Sequence, residues 1–375
     1  MILNKNNIFF FSVSKAISFF LLLTVVLSCS KSPIREESTS VNPPPVNNSY
    51  QKGIFIVNEG NYNWGNASIT FINTKDSTVE QDVFKTHNDR SLGDVAESMQ
   101  AINGKGFILV NNSNKIEVVS LKDFTSVKSI TGFNSPRFMA IVDSTKAYVT
   151  NMQKDISIID LTSLTIKKSV FTNSWTESLI QFNNFMFVSA IGIMTDPSSH
   201  RNARILIIDT KSDQIVDSIK TGKEPICMVM DKKDKIWVLC TGGYDNFEPP
   251  TLVRIDPSLR VVDKTFSFPN SGATPSRLCI NAHKDTLYFL NNGVYQMPVS
   301  STTIPSSPFI PADQHLFYGL AIQPSNGNIF VSDAKDYVQN GTVYQYNQLT
   351  GSLLRTFPAG RIPGSFCFPS ESKKK

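Results

Sequence analysis

Glu224-Pro225-Ile226-Cys227-Met228-Val229-Met230, a polar turn over Asp231–Lys235, and then Ile236-Trp237-Val238-Leu239 form the stretch that decides the fold. A strand that opens after proline, a tight turn and a second strand of bulky β-formers make a hairpin, and the same hairpin recurs along the chain. Ser135-Pro136-Arg137-Phe138-Met139-Ala140-Ile141 precedes Ala147-Tyr148-Val149-Thr150-Asn151. Thr274-Pro275-Ser276-Arg277-Leu278-Cys279-Ile280 precedes Thr286-Leu287-Tyr288-Phe289-Leu290. Phe317-Tyr318-Gly319-Leu320-Ala321-Ile322 precedes Asn328-Ile329-Phe330-Val331-Ser332-Asp333.

A third strand ending in Asp follows, as in Ile156–Asp160, Ile205–Asp209 and Leu252–Asp256, and a fourth follows a turn, as in Gln214–Ile219. Four antiparallel strands per roughly 40–50 residues make a propeller blade. The markers Pro136, Glu177, Pro225, Pro275, Tyr318 and Pro363 stand 41, 48, 50, 43 and 45 residues apart, and one more unit opens near Asp94. The first unit, Gly53–Phe84, has only three strands, and Gly364-Ser365-Phe366-Cys367-Phe368 near the C-terminus supplies the missing innermost one. The sequence therefore predicts an all-β, seven-bladed propeller over 53–369, closed by a C-terminal strand that joins the first blade. Closure removes exposed sheet edges. No convincing amphipathic helix is expected past residue 50.

Outward from the repeat, residues 1–28 read as a lipoprotein signal peptide. Lys5 and Lys15 precede the apolar run Ala16–Leu27, which is short for a membrane span. Val26-Leu27-Ser28-Cys29 has the form of a lipobox, so Cys29 is the expected lipidation site. Residues 29–52, with Pro43-Pro44-Pro45, have a tether's composition, and 370–375 form a tail. Glu36-Glu37 fits an acidic export signal, so the expected location is the outer membrane, lipid-anchored and facing the cell surface. The net charge of +5 comes partly from the two ends and builds no concentrated basic face, which argues against nucleic acid as partner. Cys227, Cys240, Cys279 and Cys367 lack metal-ligand spacing. Cys227 and Cys240 flank one turn, and buried free thiols are expected there in preference to a cross-strand disulfide.

In a blade whose strands run A to D outward, the D-to-A and B-to-C connections share one face. Here those connections are long and unusual, while the A-to-B and C-to-D turns are short and plain. The decorated face gathers Tyr62, Trp64 and Asn66 in blade one, Asn111 and Asn112 in blade two, and Tyr244 and Phe247 in blade five. Asp336 and Tyr337 join them from blade seven, and Met194, His200 and Arg201 lie in a long blade-four loop. Entry loops add Trp175, Glu177, Arg277, Phe317 and Tyr318, with His87 and Arg361. Aromatic rings beside amides and charges on a rigid scaffold suit a large amphipathic ligand or a partner protein.

No catalytic constellation stands out, so the chain is not expected to be an enzyme. His87, His200, His283 and His315 are scattered, and no zinc pairing, nucleophile elbow or phosphate-cradling loop appears. Glu59, Glu97 and Glu177 near strand ends leave open a metal held in a central channel, as in propeller hydrolases.

Lipobox, tether and Gly53-Ile54-Phe55-Ile56-Val57-Asn58-Glu59-Gly60-Asn61 with Gly65-Asn66-Ala67-Ser68 together resemble the YncE-like surface propellers of Bacteroides-type bacteria. Leu92–Met99, Val110–Ser113, Ser135-Pro136-Arg137, Lys146–Thr150 and Asp336–Tyr344 extend the resemblance over nearly the whole mature chain. Within that group the sequence is most similar to the cobalamin-capturing lipoproteins called BtuG. That resemblance implies a non-enzymatic protein with no cofactor of its own. It would bind cobalamin or related corrinoids and pass them to a TonB-dependent outer-membrane transporter. It supplies no ligand map, so the site residues above rest on the loop argument. A propeller for adhesion or protein scaffolding, and a metal-dependent lactonase-like hydrolase, are the alternatives.

Overall fold

A computed structural model describes residues 50–192, 203–243, 248–268 and 272–369. The leader, Cys29, the tether up to 49, the tail, and Met194, His200, Arg201, Tyr244 and Phe247 lie outside the described residues. Seven four-stranded antiparallel sheets form the seven expected blades. Their innermost strands are Pro363–Cys367, Ala96–Ile102, Pro136–Ile141, Trp175–Phe182, Pro225–Met230, Ser276–Ile280 and Phe317–Ile322. Among the described residues no helix is long and apolar enough to cross a membrane.

The second strand of each blade is mostly apolar because both its faces are covered by neighbouring blades. Ile54–Asn58, Ile236–Cys240 and Ile329–Asp333 are buried at every position. Each core cluster joins two blades. Phe107 and Leu109 of blade 2 meet Met139, Ala147 and Val149 of blade 3, and Trp237 and Leu239 of blade 5 meet Leu287 and Phe289 of blade 6. The outermost strands face water, and Gln214–Lys220 buries only Ile219. Asp160, Asp209 and Asp256 end the third strands as expected. Each carboxylate accepts backbone N–H groups two and three residues on, which closes the plain-face turn.

The ring closes where Phe55, Ile56 and Val57 pair with Cys367, Phe366 and Ser365. Cys227 stands opposite Leu239 and Cys240 opposite Pro225, so the two thiols do not face each other, and all four described cysteines are free. One element was not foreseen. Val83–Asn88 is a helix of six residues in the blade 1-to-2 connection, where Val83 and Phe84 are buried. It is too short to show a helical period in the sequence.

Tyr50, assigned to the tether by composition, is fully buried. Its ring packs edge-on against Phe71 and Phe124, with centroids 4.9 and 5.3 Å away. Its hydroxyl donates to Glu80 Oε2 at 2.7 Å and lies 2.7 Å from His87 Nε2. The described chain thus enters the propeller on the plain face, beside the turn residue Phe124. Tyr50→Ala is expected to cost about 3–5 kcal/mol by leaving a cavity. Tyr50→Phe, which keeps the ring, is expected to cost about 1 kcal/mol. Urea-unfolding midpoints of the two variants check this.

Candidate functional site: the decorated mouth of the channel

Every innermost strand carries a β-bulge near its start. Pairing skips Gly364, Glu97, Arg137, Glu177, Ile226, Arg277 and Tyr318 in blades 1 to 7. A bulge re-aims the side chain it carries. The backbone ahead of it is left-handed at Val95, Ser135, Glu224 and Ile362. Val95 and Ile362 are β-branched and held at φ of 54° and 53°, a conformation that costs roughly 1–3 kcal/mol and collects at functional sites. Each innermost strand starts at the decorated face, so these seven positions ring the channel mouth on that side.

The ring carries two charged arcs. Arg137 of blade 3 reaches sideways to both neighbours. Its Nη1 donates to Glu97 Oε2 of blade 2, and its Nε donates to Glu177 Oε1 of blade 4 at 2.9 Å. The Trp175 indole N–H donates to the same Glu177 oxygen at 2.7 Å, and the Arg137 guanidinium lies over the Trp175 ring. On the far side, Arg277 of blade 6 donates from Nε to the Tyr318 carbonyl at 3.1 Å and lies over the Tyr318 ring. Arg277 Nη2 is 3.4 Å from Glu59 Oε1, and the Tyr318 hydroxyl donates to Glu59 Oε2 at 2.9 Å. Gly364 makes room for that carboxylate: a Cβ there would lie 2.3 Å from Glu59 Oε1.

Burial dominates the electrostatics. It pushes Glu59 up to about 7, helped by the negative charge of Glu97 and opposed by Arg277 and Tyr318. Glu177 is also raised by burial, against the pull of Arg137. Burial works against the Arg137 charge, but Glu177 and Glu97 outweigh it and hold that guanidinium firmly protonated.

Above the ring stands an aromatic lip. Tyr62 and Trp64 are 68% and 70% exposed, Tyr337 is 42% and Val338 61%. The two loops that carry them are tied together, since the Asn61 side-chain amide donates to the Tyr337 carbonyl at 2.7 Å. Tyr337 meets Tyr318 edge-on with centroids 5.8 Å apart, which links lip to channel. Asn112 borders the same loop through Asn63 and Asp94.

The structure redistributes the residues expected here. Trp175, Glu177, Arg277, Phe317 and Tyr318 are not in entry loops. They lie in the innermost strands, where the bulge turns Glu177, Arg277 and Tyr318 to the mouth while Trp175 and Phe317 stay paired in register. Asn66, Asn111 and Asp336 brace their own surroundings, through Asn61, the Pro136 carbonyl and the N–H groups of Val338 and Gln339. His87 is tied to Tyr50 and Glu80 on the plain side, and Arg361 donates to the Val338 carbonyl. Phe317 stacks on His315, whose Nδ1 is 3.0 Å from Asp333. Arg137 was missed as a site residue. Its signal was present, because Pro136-Arg137 and Pro275-Ser276-Arg277 occupy the same place in aligned repeats. A separate recess of about 550 Å³ in blade 4 is lined by Ser174, Gly192, Arg204 and Asp217 and contains none of the channel groups.

The family model described as a domain of unknown function (DUF5074) matches residues 52–371. No curated protein matches the chain. Solved structures share the fold. A quinonprotein alcohol dehydrogenase-like protein of Bacteroides thetaiotaomicron has a TM-score of 0.65 at 18% identity, covering 85% of this chain and 79% of its own. A candidate 6-phosphogluconolactonase of Bacteroides uniformis has a TM-score of 0.62 at 11% identity, covering 84% and 99%. The periplasmic gluconolactonase PpgL of Pseudomonas aeruginosa has a TM-score of 0.60 at 10% identity, covering 84% and 98%. At such identities these likenesses speak for the fold alone.

Proposed function

The chain belongs to the DUF5074 family, and we propose that this member is a non-enzymatic, lipid-anchored capture protein of the outer membrane. In this reading it holds a corrinoid such as cobalamin over its decorated mouth and passes it to a TonB-dependent transporter. The observation that carries the reading is the lip of Tyr62, Trp64 and Tyr337 set beside amides and above a charged channel. A corrinoid is broad, with an apolar rim and peripheral amides, and a rigid surface of rings and polar groups binds such a molecule at low entropic cost. The described chain enters on the plain face, opposite the lip. The resemblance to cobalamin-capturing propellers supports the choice of ligand.

The hydrolytic reading rests on Glu59, Glu97 and Glu177. Arg137 and Arg277 already pair with these carboxylates, and no three His, Cys, Asp or Glu side chains among the described residues could hold a metal ion together. Capture is therefore the better supported function. Isothermal titration of cyanocobalamin into the purified full-length protein is expected to show saturable one-to-one binding. Trp64→Ala is expected to weaken it about tenfold or more, since a buried aromatic anchor carries at least 1–2 kcal/mol. No heat of binding at micromolar concentrations would rule the reading out.

A further inference from the structure

The channel mouth holds more negative charge than positive. Glu59, Glu97 and Glu177 face only two guanidinium groups, those of Arg137 and Arg277. The pairing also leaves acceptors over. Glu97 Oε1 and Glu177 Oε2 accept no hydrogen bond from another described residue, although these side chains are only 4% and 5% exposed. The largely buried side chains thus present two free carboxylate oxygens, which can take donors or counter-charge that reach them from the channel.

The groups that act on Glu59 are Glu97, Arg277, Tyr318 and Arg137, from four of the inner strands, while Glu177 lies beyond Arg137 and the Cys227 and Cys279 thiols lie beside Arg277. Ile226 and Gly364 fill the two remaining ring positions and bring no charge. With Glu59 raised to about 7, its own proton competes near neutral pH to supply the missing positive charge.

We propose that the channel mouth is a binding site for one organic cation with N–H donors, an alkylammonium or guanidinium group, which neutralises the charge that Glu59, Glu97 and Glu177 hold in excess over Arg137 and Arg277. The free oxygens of Glu97 and Glu177 accept its N–H groups. The rings of Tyr318 and Tyr337 and the lip above them line its way in and add cation–π attraction. Net negative charge turns anions away. The two guanidinium groups stand between the carboxylates, which suits a directional N–H donor better than a metal ion seeking three or more ligands. The proposal does not depend on which ligand sits at the lip, because Glu97, Arg137, Glu177, Arg277 and Tyr318 lie on the inner strands and only Glu59 comes from the base of a lip loop.

A bound cation lowers the proton affinity of Glu59, so binding releases protons and strengthens as pH rises through 7. Titration of the full-length protein with n-butylammonium and n-butylguanidinium, in buffers of different ionisation enthalpy, reads both effects. The expected result is saturable binding of either cation, roughly tenfold tighter at pH 8 than at pH 6, with a fraction of a proton released near pH 7. Glu59→Gln removes the carboxylate that is in excess over the two arginines, so it is expected to weaken binding about tenfold or more at pH 8 and to remove the Glu59 share of the proton release. Butanol and butyrate, the neutral and anionic controls, do not bind. The carboxyl carbon resonance of Glu59, assigned through Glu59→Gln, moves to a lower titration midpoint when either cation is added to the unmodified protein. Absence of binding up to millimolar cation, equal binding of butyrate, or a Glu59 midpoint indifferent to the cation each overturns the proposal.

Discussion

Arg137→Met is expected to destabilise the propeller by about 3–5 kcal/mol near neutral pH, the usual cost of removing one partner from a buried charge network. Methionine fills most of the guanidinium's volume, so the loss is electrostatic rather than a cavity. It strands Glu97 and Glu177, which are 4% and 5% exposed, without the group that both of them contact. The pH dependence separates this account from simple misfolding. Glu177 is raised by burial and pulled down by Arg137 in the intact protein. Without the arginine its folded-state proton affinity rises further above the unfolded value. The folded variant then binds more protons than its unfolded chain, so its stability falls as pH rises and recovers on acidification. Thermal denaturation between about pH 5 and 8 is expected to show the gap to the unmodified protein narrowing at the acid end. A deficit that is constant with pH contradicts the assignment of Arg137 as counter-ion.

Ending the chain at Ile362 is expected to have the larger effect of abolishing the cooperative fold. The missing strand, Pro363–Cys367, pairs with Ile54–Asn58, all of whose residues are buried. Its loss leaves a row of backbone donors and acceptors unpaired, and it exposes the cluster that Cys367 shares with Phe55, Val57 and Ala96. A closed ring cannot relax around one absent inner strand, because blade 1 is also the wall against which blades 2 and 7 pack. The truncated chain is expected to accumulate as aggregate and to show no sharp thermal transition by circular dichroism. A transition within a few degrees of the full-length protein would mean that the ring is held by other contacts.

The blades were legible in the sequence because their second strands are buried on both faces. Runs such as Ile236–Cys240 and Ile329–Val331 are apolar throughout, and Pro and Asp mark the borders of the repeat. The two faces were legible too, since connectivity alone sorts the loops. What was not legible is where the inner-strand side chains point. In a regular strand, direction follows from alternation. Here a left-handed residue such as Val95 or Ser135 and the bulge after it reset the alternation, so Glu97 and Arg137 turn toward the channel. The partnership of Arg137 with residues 40 positions away on either side follows from the ring, and no local pattern encodes it. Loop polarity carries a second role that composition does not reveal. Asn66, Asn111 and Asp336, expected as ligand contacts by composition, also satisfy backbone or loop groups around them, a common use of short polar side chains.

The central claim is that the decorated mouth is the binding face. Hydrogen–deuterium exchange of the purified full-length protein, with and without saturating cyanocobalamin, tests it most directly. The predicted result is slowed exchange in 59–67, 111–114 and 334–339 and in the opening residues of the innermost strands. Slowing confined to plain-face turns such as 143–146 and 231–235, or none anywhere, would contradict it.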